Sequence, residues 1–355
     1  MVIDKNIFIQ LVIRLDPIEP DSQSFRAILN LESGFFMKDK TLTIKYGSNL
    51  IKNYNMLFVM IGMIVVCSII SPVFLTADNI LNLLQQNAVF GIMAVGMAYL
   101  LISGALDLSA GANVALTGVV AGQTLLSTHN YLLTILVGLL VGVIVGTVNG
   151  LLLTKLKVNF FIATLGTMTM INGLVLIITG GRPITGIPTD FGVIGMGKIG
   201  AIPISMIIWI ALAIIMQLIL KYTKYGQYVY AMGGNERAAW FSGIDIDKNR
   251  LFTFLLTGLF AAGGGIVLLS RTNMAAVDAG TGYELKVIAA CIVGGISLDG
   301  GKGDVVNSIF GVIILGLVLN ILQLSGVSSY YQNLITGAII IAAVAASNIS
   351  KLKRD

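Results

Sequence analysis

The sequence predicts an all-α polytopic membrane protein of about ten transmembrane helices, some of them broken, with both termini cytoplasmic. Three observations carry this expectation. Of 355 residues, 56% are hydrophobic and only 11% charged, with a mean hydropathy of +0.91; a soluble domain carries about 25% charged residues. Between Lys52 and Lys155 lie 102 residues without Lys or Arg, with Asp78 and Asp107 as the only acids. Glycine is high at 41 and proline low at 6, which suits closely packed membrane helices. Together they exclude an ordinary cytosolic enzyme, a disordered chain and a disulfide-stapled secreted domain.

Residues 1–36 stand apart. They hold five acids (Asp4, Asp16, Glu19, Asp21, Glu32) against Lys5, Arg14 and Arg26, and Pro17 and Pro20 interrupt any helix. The order of a signal peptide is missing. Met37 opens Met-Lys-Asp-Lys, the start of a basic stretch over residues 37–54 that leads into the first span. The expectation is a natural start at Met37, the alternative being a genuine cytosolic extension.

The membrane domain covers residues 55–350. Its apolar runs predict spans at Asn55–Ile70, Ala88–Ser103, Ser109–Leu126, Tyr131–Leu153, Phe160–Thr179, Pro203–Leu220, Leu251–Ser270, Glu284–Ile296, Val305–Leu324 and Tyr331–Ile349. The third and eighth are short or glycine-interrupted, as broken helices are. From residue 37 onward this count puts 15 Lys and Arg in inside segments and four (Arg182, Lys198, Arg271, Lys286) in outside ones. A miscount by one span would invert every later loop and destroy that asymmetry. The net charge of +5 is therefore read as orientation signal rather than as a nucleic-acid partner.

Four motifs bear on function. Gly138, Gly142, Gly146 and Gly150 form one helical stripe for close approach of another helix, static or sliding. In Gly104-Ala-Leu-Asp-Leu-Ser-Ala-Gly111, Asp107 or Ser109 is placed to cap the third span. Gly294-Gly-Ile-Ser-Leu-Asp-Gly-Gly301 has similar spacing, and its Asp299 falls where Ser109 does. The longest inside loop, 221–250, predicts a short amphipathic helix over Glu236–Ser242, with Asn235 as N-cap, Gly243 as its stop and Trp240 and Phe241 on its apolar side. That side fits a partner's groove or the membrane interface. Two glycine motifs are discarded. Gly195-Met-Gly-Lys-Ile-Gly200 has no preceding strand, and Gly300-Gly-Lys-Gly303 lacks the Ser or Thr of a phosphate loop, so ATP hydrolysis must come from elsewhere. No metal spacing or cofactor motif is present, and Cys67, Cys291 and His129 form no cluster.

Several segments together resemble the permease subunits of bacterial ABC sugar importers of the ribose type, with the branched-chain amino acid permeases more distant. They are Leu106-Asp-Leu-Ser109, Tyr230-Ala-Met-Gly-Gly-Asn235 through Ser242-Gly-Ile244, Gly280-Thr-Gly-Tyr-Glu284, Gly294-Gly through Gly301-Lys-Gly303, and Gly326-Val-Ser-Ser329. The resemblance spans about residues 50–350 in order. It implies a bacterial inner-membrane subunit that pairs with a second permease chain, binds an ABC ATPase subunit and receives solute from an extracytoplasmic sugar-binding protein. It also implies that Gly233, Gly234, Asn235, Glu236, Arg237, Ala238, Trp240, Phe241, Ser242 and Gly243 couple to the ATPase.

The expected function is import of a monosaccharide, with membrane lipid as surroundings and no nucleic acid partner. A neutral solute needs hydrogen-bonding side chains and no fixed counter-charge; the candidates are Asn113, Thr117, Thr167, Asn172, Asn307 and Asn320. Each is equally suited to bonding between helices. The alternatives are a branched-chain amino acid permease and an ion-coupled secondary transporter, which would place an ionisable residue near mid-membrane. No such residue is found well inside a predicted span. An intramembrane enzyme lacks any paired-carboxylate, Ser-His or His-Glu constellation.

Overall fold

A computed structural model describes residues 55–352. Of the described residues, 59–352 belong to one compact unit and 55–58 to a second. The segments 1–36 and 37–54 lie outside the described residues.

The helices are α1 (Asn55–Ile70), α2 (Ala77–Ile102), α3 (Ala110–Thr128), α4 (Tyr131–Thr154), α5 (Phe160–Thr179), α6 (Val193–Met196), α7 (Ile204–Tyr222), α8 (Lys224–Gly234), α9 (Glu236–Phe241), α10 (Ile246–Thr272), α11 (Tyr283–Val293), α12 (Val305–Leu324) and α13 (Ser329–Leu352). A 3₁₀ turn at Thr189–Gly192 precedes α6. One two-residue antiparallel ribbon, β1 (Lys198–Ile199) with β2 (Ile202–Pro203), departs from the all-α expectation. The discarded Gly195–Gly200 motif falls on α6 and this ribbon, where Gly195 is pressed against the backbone of Arg271.

Each predicted span coincides with a helix. Three match end to end: α1, α5 and α12. The largest difference is α2, which starts 11 residues before the predicted Ala88. Its first turns are polar (Asp78, Asn79, Asn82, Gln85, Gln86) and so carry no apolar signal. They are helical because Thr76 caps them, its hydroxyl accepting from Asn79 N at 3.4 Å. Among the described residues, six helices are long and apolar enough to cross a membrane: α2, α4, α5, α7, α10 and α12.

The packing sorts the helices. α2 is the enclosed one, with nine-tenths of its most apolar window buried, whereas little more than a quarter is buried in α4, α5 and α7. The outer helices expose large apolar side chains such as Leu136, Leu140, Met170 and Ile177. An apolar outside around a packed inside is the arrangement a hydrocarbon solvent requires. The glycine stripe of α4 lies along α10 in antiparallel order: Gly138 on Ile266, Gly142 on Gly258 and Ala262, Gly146 on Phe254 and Leu255, Gly150 on Leu251. Gly258 meets Gly142 and Gly146 in return, so the two backbones touch with no side chain between them. Tyr99 anchors α2 to α7 through a hydrogen bond to Met216 O (2.5 Å).

Candidate functional site

The loop after α7 builds one end of the molecule. Thr223 closes α7, and its hydroxyl accepts from Gly226 N (3.3 Å), starting α8 in the next residue. Sequence reading left α8 unassigned, because its residues Tyr225–Gly234 have no long apolar run. Asn235 is extended, and its Oδ1 accepts from Ala238 N (3.0 Å), so it caps α9 as its residue type predicts. Ser242 N donates to Ala238 O (3.0 Å), and Gly243 leaves the helix at φ +81°, a conformation that only glycine adopts at little strain. The helix is thus Glu236–Phe241, one residue shorter than predicted.

Ala239 is buried and seats α9 on the body, while Trp240 and Phe241 are 63% and 80% exposed. Their rings pack edge to face at 5.0 Å, forming a two-ring apolar knob. Beside it opens a cleft of about 980 Å³, whose walls include Lys157, Arg237, Ile244 and Asp247. Lys157 pairs with Asp247 across it at 2.7 Å. Arg237 and Ser242 are both exposed.

Three loops meet behind the knob. Gly301 N donates to Ile102 O at the end of α2 (2.8 Å). Gly233 lies on the same carbonyl, and Gly300, at φ +83°, fits between Gly104 and Gly233. Gly234 abuts Gly301. The two similar eight-residue segments, 104–111 and 294–301, therefore touch here. Asp299 is exposed on this face. Tyr230 OH on α8 donates to Gly303 O, and burial with Asp304 beside it pushes this phenol up to about 12, so it stays a donor.

The interior holds a second polar group. Asp107 and Ser109 are wholly buried between α2 and α3. Asp107 Oδ1 accepts from Ser109 N (2.7 Å) and Ser109 Oγ (2.6 Å). Ser109 stands at the N-cap position of α3, but its hydroxyl turns to Asp107 instead of to the helix. Asn149 on α4 donates to Ser109 Oγ (2.8 Å). Asp107 Oδ2 and Asn149 Oδ1 have no hydrogen-bond partner among the described residues. Sequence reading missed Asn149, whose only signal was its place beside the last glycine of the stripe.

The six pathway candidates separate. Asn113 is buried and donates to Gly258 O (3.1 Å), and Thr117 donates to Asn113 Oδ1 (3.3 Å). Thr167 donates to its own helix at Ala163 O (2.9 Å). Asn320 exchanges hydrogen bonds with Asn79 (3.0 and 2.8 Å). Asn307 is half-buried in the first turn of α12. Asn172 is exposed on α5, next to Thr169 on the same outward side.

The expectation of an interior without charge does not hold around α11. This helix has 11 residues, about 16 Å long, roughly half of a hydrocarbon core. Its C-terminal end runs into the loop that binds Ile102, so its first turn lies about midway along α2. There Glu284 is buried, filling the space a side chain at Gly111 would need. The Lys286 ammonium lies 5.9 Å from the ring centres of both Phe90 and Tyr283. Sequence reading put this pair at a span edge because hydropathy does not reveal that a helix starts within the bundle.

A family model described as branched-chain amino acid transport system / permease component matches residues 79–344. The ribose import permease protein RbsC of Bacillus subtilis (strain 168) is 45% identical over 284 residues, covering 79% of this chain and 88% of that one. The protein of the same name from Haemophilus influenzae is 40% identical over 322 residues, covering 90% and 99%. The L-arabinose transport system permease protein AraH of Escherichia coli (strain K12) is 37% identical over 291 residues, covering 82% and 89%. No solved structure matches.

Proposed function

The chain belongs to the branched-chain amino acid transport system / permease component family, and we propose from that membership what it carries and how it is driven. It is a multi-pass permease subunit of an ABC sugar importer in the bacterial inner membrane. It is not an enzyme, and ATP hydrolysis lies in a separate subunit.

The solute is a ribose-like monosaccharide. The observation that carries this reading is the match, over 79–90% of this chain and 88–99% of the relatives, to permeases named for ribose, at higher identity than to one named for arabinose. Ten crossings with both termini cytoplasmic are supported by the basic residues, 15 in predicted inside segments against Arg182, Lys198 and Arg271 in outside ones, and by a helix at every predicted span. The end carrying α8 and α9 is then cytoplasmic. The residues from Gly233 to Gly243 dock the ATPase, with Trp240 and Phe241 entering its groove; their exposure and the open cleft beside them support this. A second permease chain completes the pathway, and an extracytoplasmic binding protein delivers the sugar. Asn172 faces that pathway, because a carboxamide exposed in mid-helix is poorly matched to lipid.

The test replaces Trp240 and Phe241 with alanine. Both are largely exposed, so folding is retained. Copurification with the ATPase and ATP-driven uptake should both fail. Unchanged copurification and uptake would remove the docking assignment.

A further inference from the structure

We propose that Arg250 is the positioning residue that ties the docking helix to the centre of the bundle, so that movement of α9 is passed to α2. This rests on the reading of α9 as the ATPase-docking helix. Arg250 lies in the second turn of α10, and only 15% of its side chain is exposed. One guanidinium nitrogen, Nη1, meets Glu236 Oε2 at 3.0 Å, in the first turn of α9. The other, Nη2, donates to Ser103 O at 3.3 Å, at the C-cap of α2. A helix C-terminus has unpaired carbonyls and negative dipole character, so a buried cation is favoured there. The planar fork of arginine offers each partner its own nitrogen in a fixed geometry, which the single ammonium of a lysine does less well.

The two ends of this bridge are unlike. Glu236 is 56% exposed beside the cleft, where a docked partner would meet it. Ser103 is wholly buried, and its hydroxyl is already committed to Leu100 O (2.7 Å). The preceding carbonyl, Ile102 O, is taken by Gly301 N. The end of α2 is thus held by two hydrogen bonds, one from the loop after α11 and one from Arg250, with Gly233 of α8 packed on the Ile102 carbonyl. Since α2 is the most enclosed of the spans, a displacement of its end reaches α7, α10 and α12, which pack on it. Glu236 already suits the positive end of α9, so the ion pair with Arg250 is a second use of that carboxylate.

The test measures sugar moved per ATP hydrolysed, per assembled complex, in proteoliposomes holding the chain with its ATPase. Arg250→Ala should lower that ratio about tenfold, the scale of a lost charge-assisted hydrogen bond. Arg250→Lys should recover part of it. Glu236→Gln, at an exposed site that folding does not need, should lower it in the same direction. An unchanged ratio in both Arg250→Ala and Glu236→Gln would overturn the proposal. So would a fall in assembled complex alone, with the ratio per complex kept, since that marks a purely structural residue. Failure of the docking reading is distinguishable: it would show as copurification untouched by the Trp240 and Phe241 replacements.

Discussion

Gly146→Ala probes the contact that holds the bundle together. A methyl group at Gly146 would lie 2.9 Å from Leu255 Cα and 3.0 Å from Phe254 C. Carbon atoms prefer about 3.5–4.0 Å, so α4 and α10 must separate by about 0.5–1 Å. The obstructing atoms are backbone, and no side-chain rotation relieves them. Overpacking of this kind costs about 1–3 kcal/mol. Alanine in place of glycine returns about 0.5–1 kcal/mol of helix preference. Gly62→Ala is the matched control, because nothing lies within 4 Å of a methyl group there and only the favourable term remains. The two variants should therefore differ by about 1–3 kcal/mol. The assay is thermal unfolding of the purified protein in one detergent. Gly146→Ala should melt several degrees below Gly62→Ala, at about 2–4 °C per kcal/mol. Equal melting temperatures would refute the close-packed seam and favour a surface on which the helices slide freely.

Two further outcomes are expected. Asn149→Leu removes the donor to Ser109 Oγ inside a buried group, and thermal unfolding should show a loss of about 1–3 kcal/mol. Asn172→Leu removes an exposed carboxamide, so unfolding should be unchanged while the uptake rate falls about fivefold, the scale of one hydrogen bond to a passing solute.

Much of the fold was legible because long apolar runs and their basic flanks are strong local signals. The ends of α5 and α12 coincide with the predicted spans because Asn159 and the Asp304–Val305 step mark abrupt changes from polar to apolar. The start of α2 was hidden for the opposite reason, since its first turns are polar and their helicity depends on Thr76 and on neighbours distant in sequence. The short helix α9 was legible from Asn235 and Gly243, whose roles as cap and stop are local backbone chemistry. Its link to α2 was not. Arg250 reads in sequence as one more inside charge, and its two partners lie 14 and 147 residues away. Asn113, Thr117, Thr167 and Asn320 show the same limit. A polar residue in a span bonds within its own helix, bonds to a neighbouring helix or faces a pathway, and tertiary structure alone separates these. Glu284 and Lys286 were misjudged because α11 begins midway along α2, where a hydropathy profile assumes a helix end at the surface.

The central claim is that this chain carries a ribose-like sugar only when driven by a separate ATPase. Its direct measurement is uptake of radiolabelled ribose into proteoliposomes containing the chain and its ATPase, with the binding protein supplied outside. Accumulation should require ATP within the ATPase-facing compartment and the binding protein, and should survive ionophores that abolish ion gradients. Accumulation that persists without ATP and collapses with the ion gradient would contradict the account.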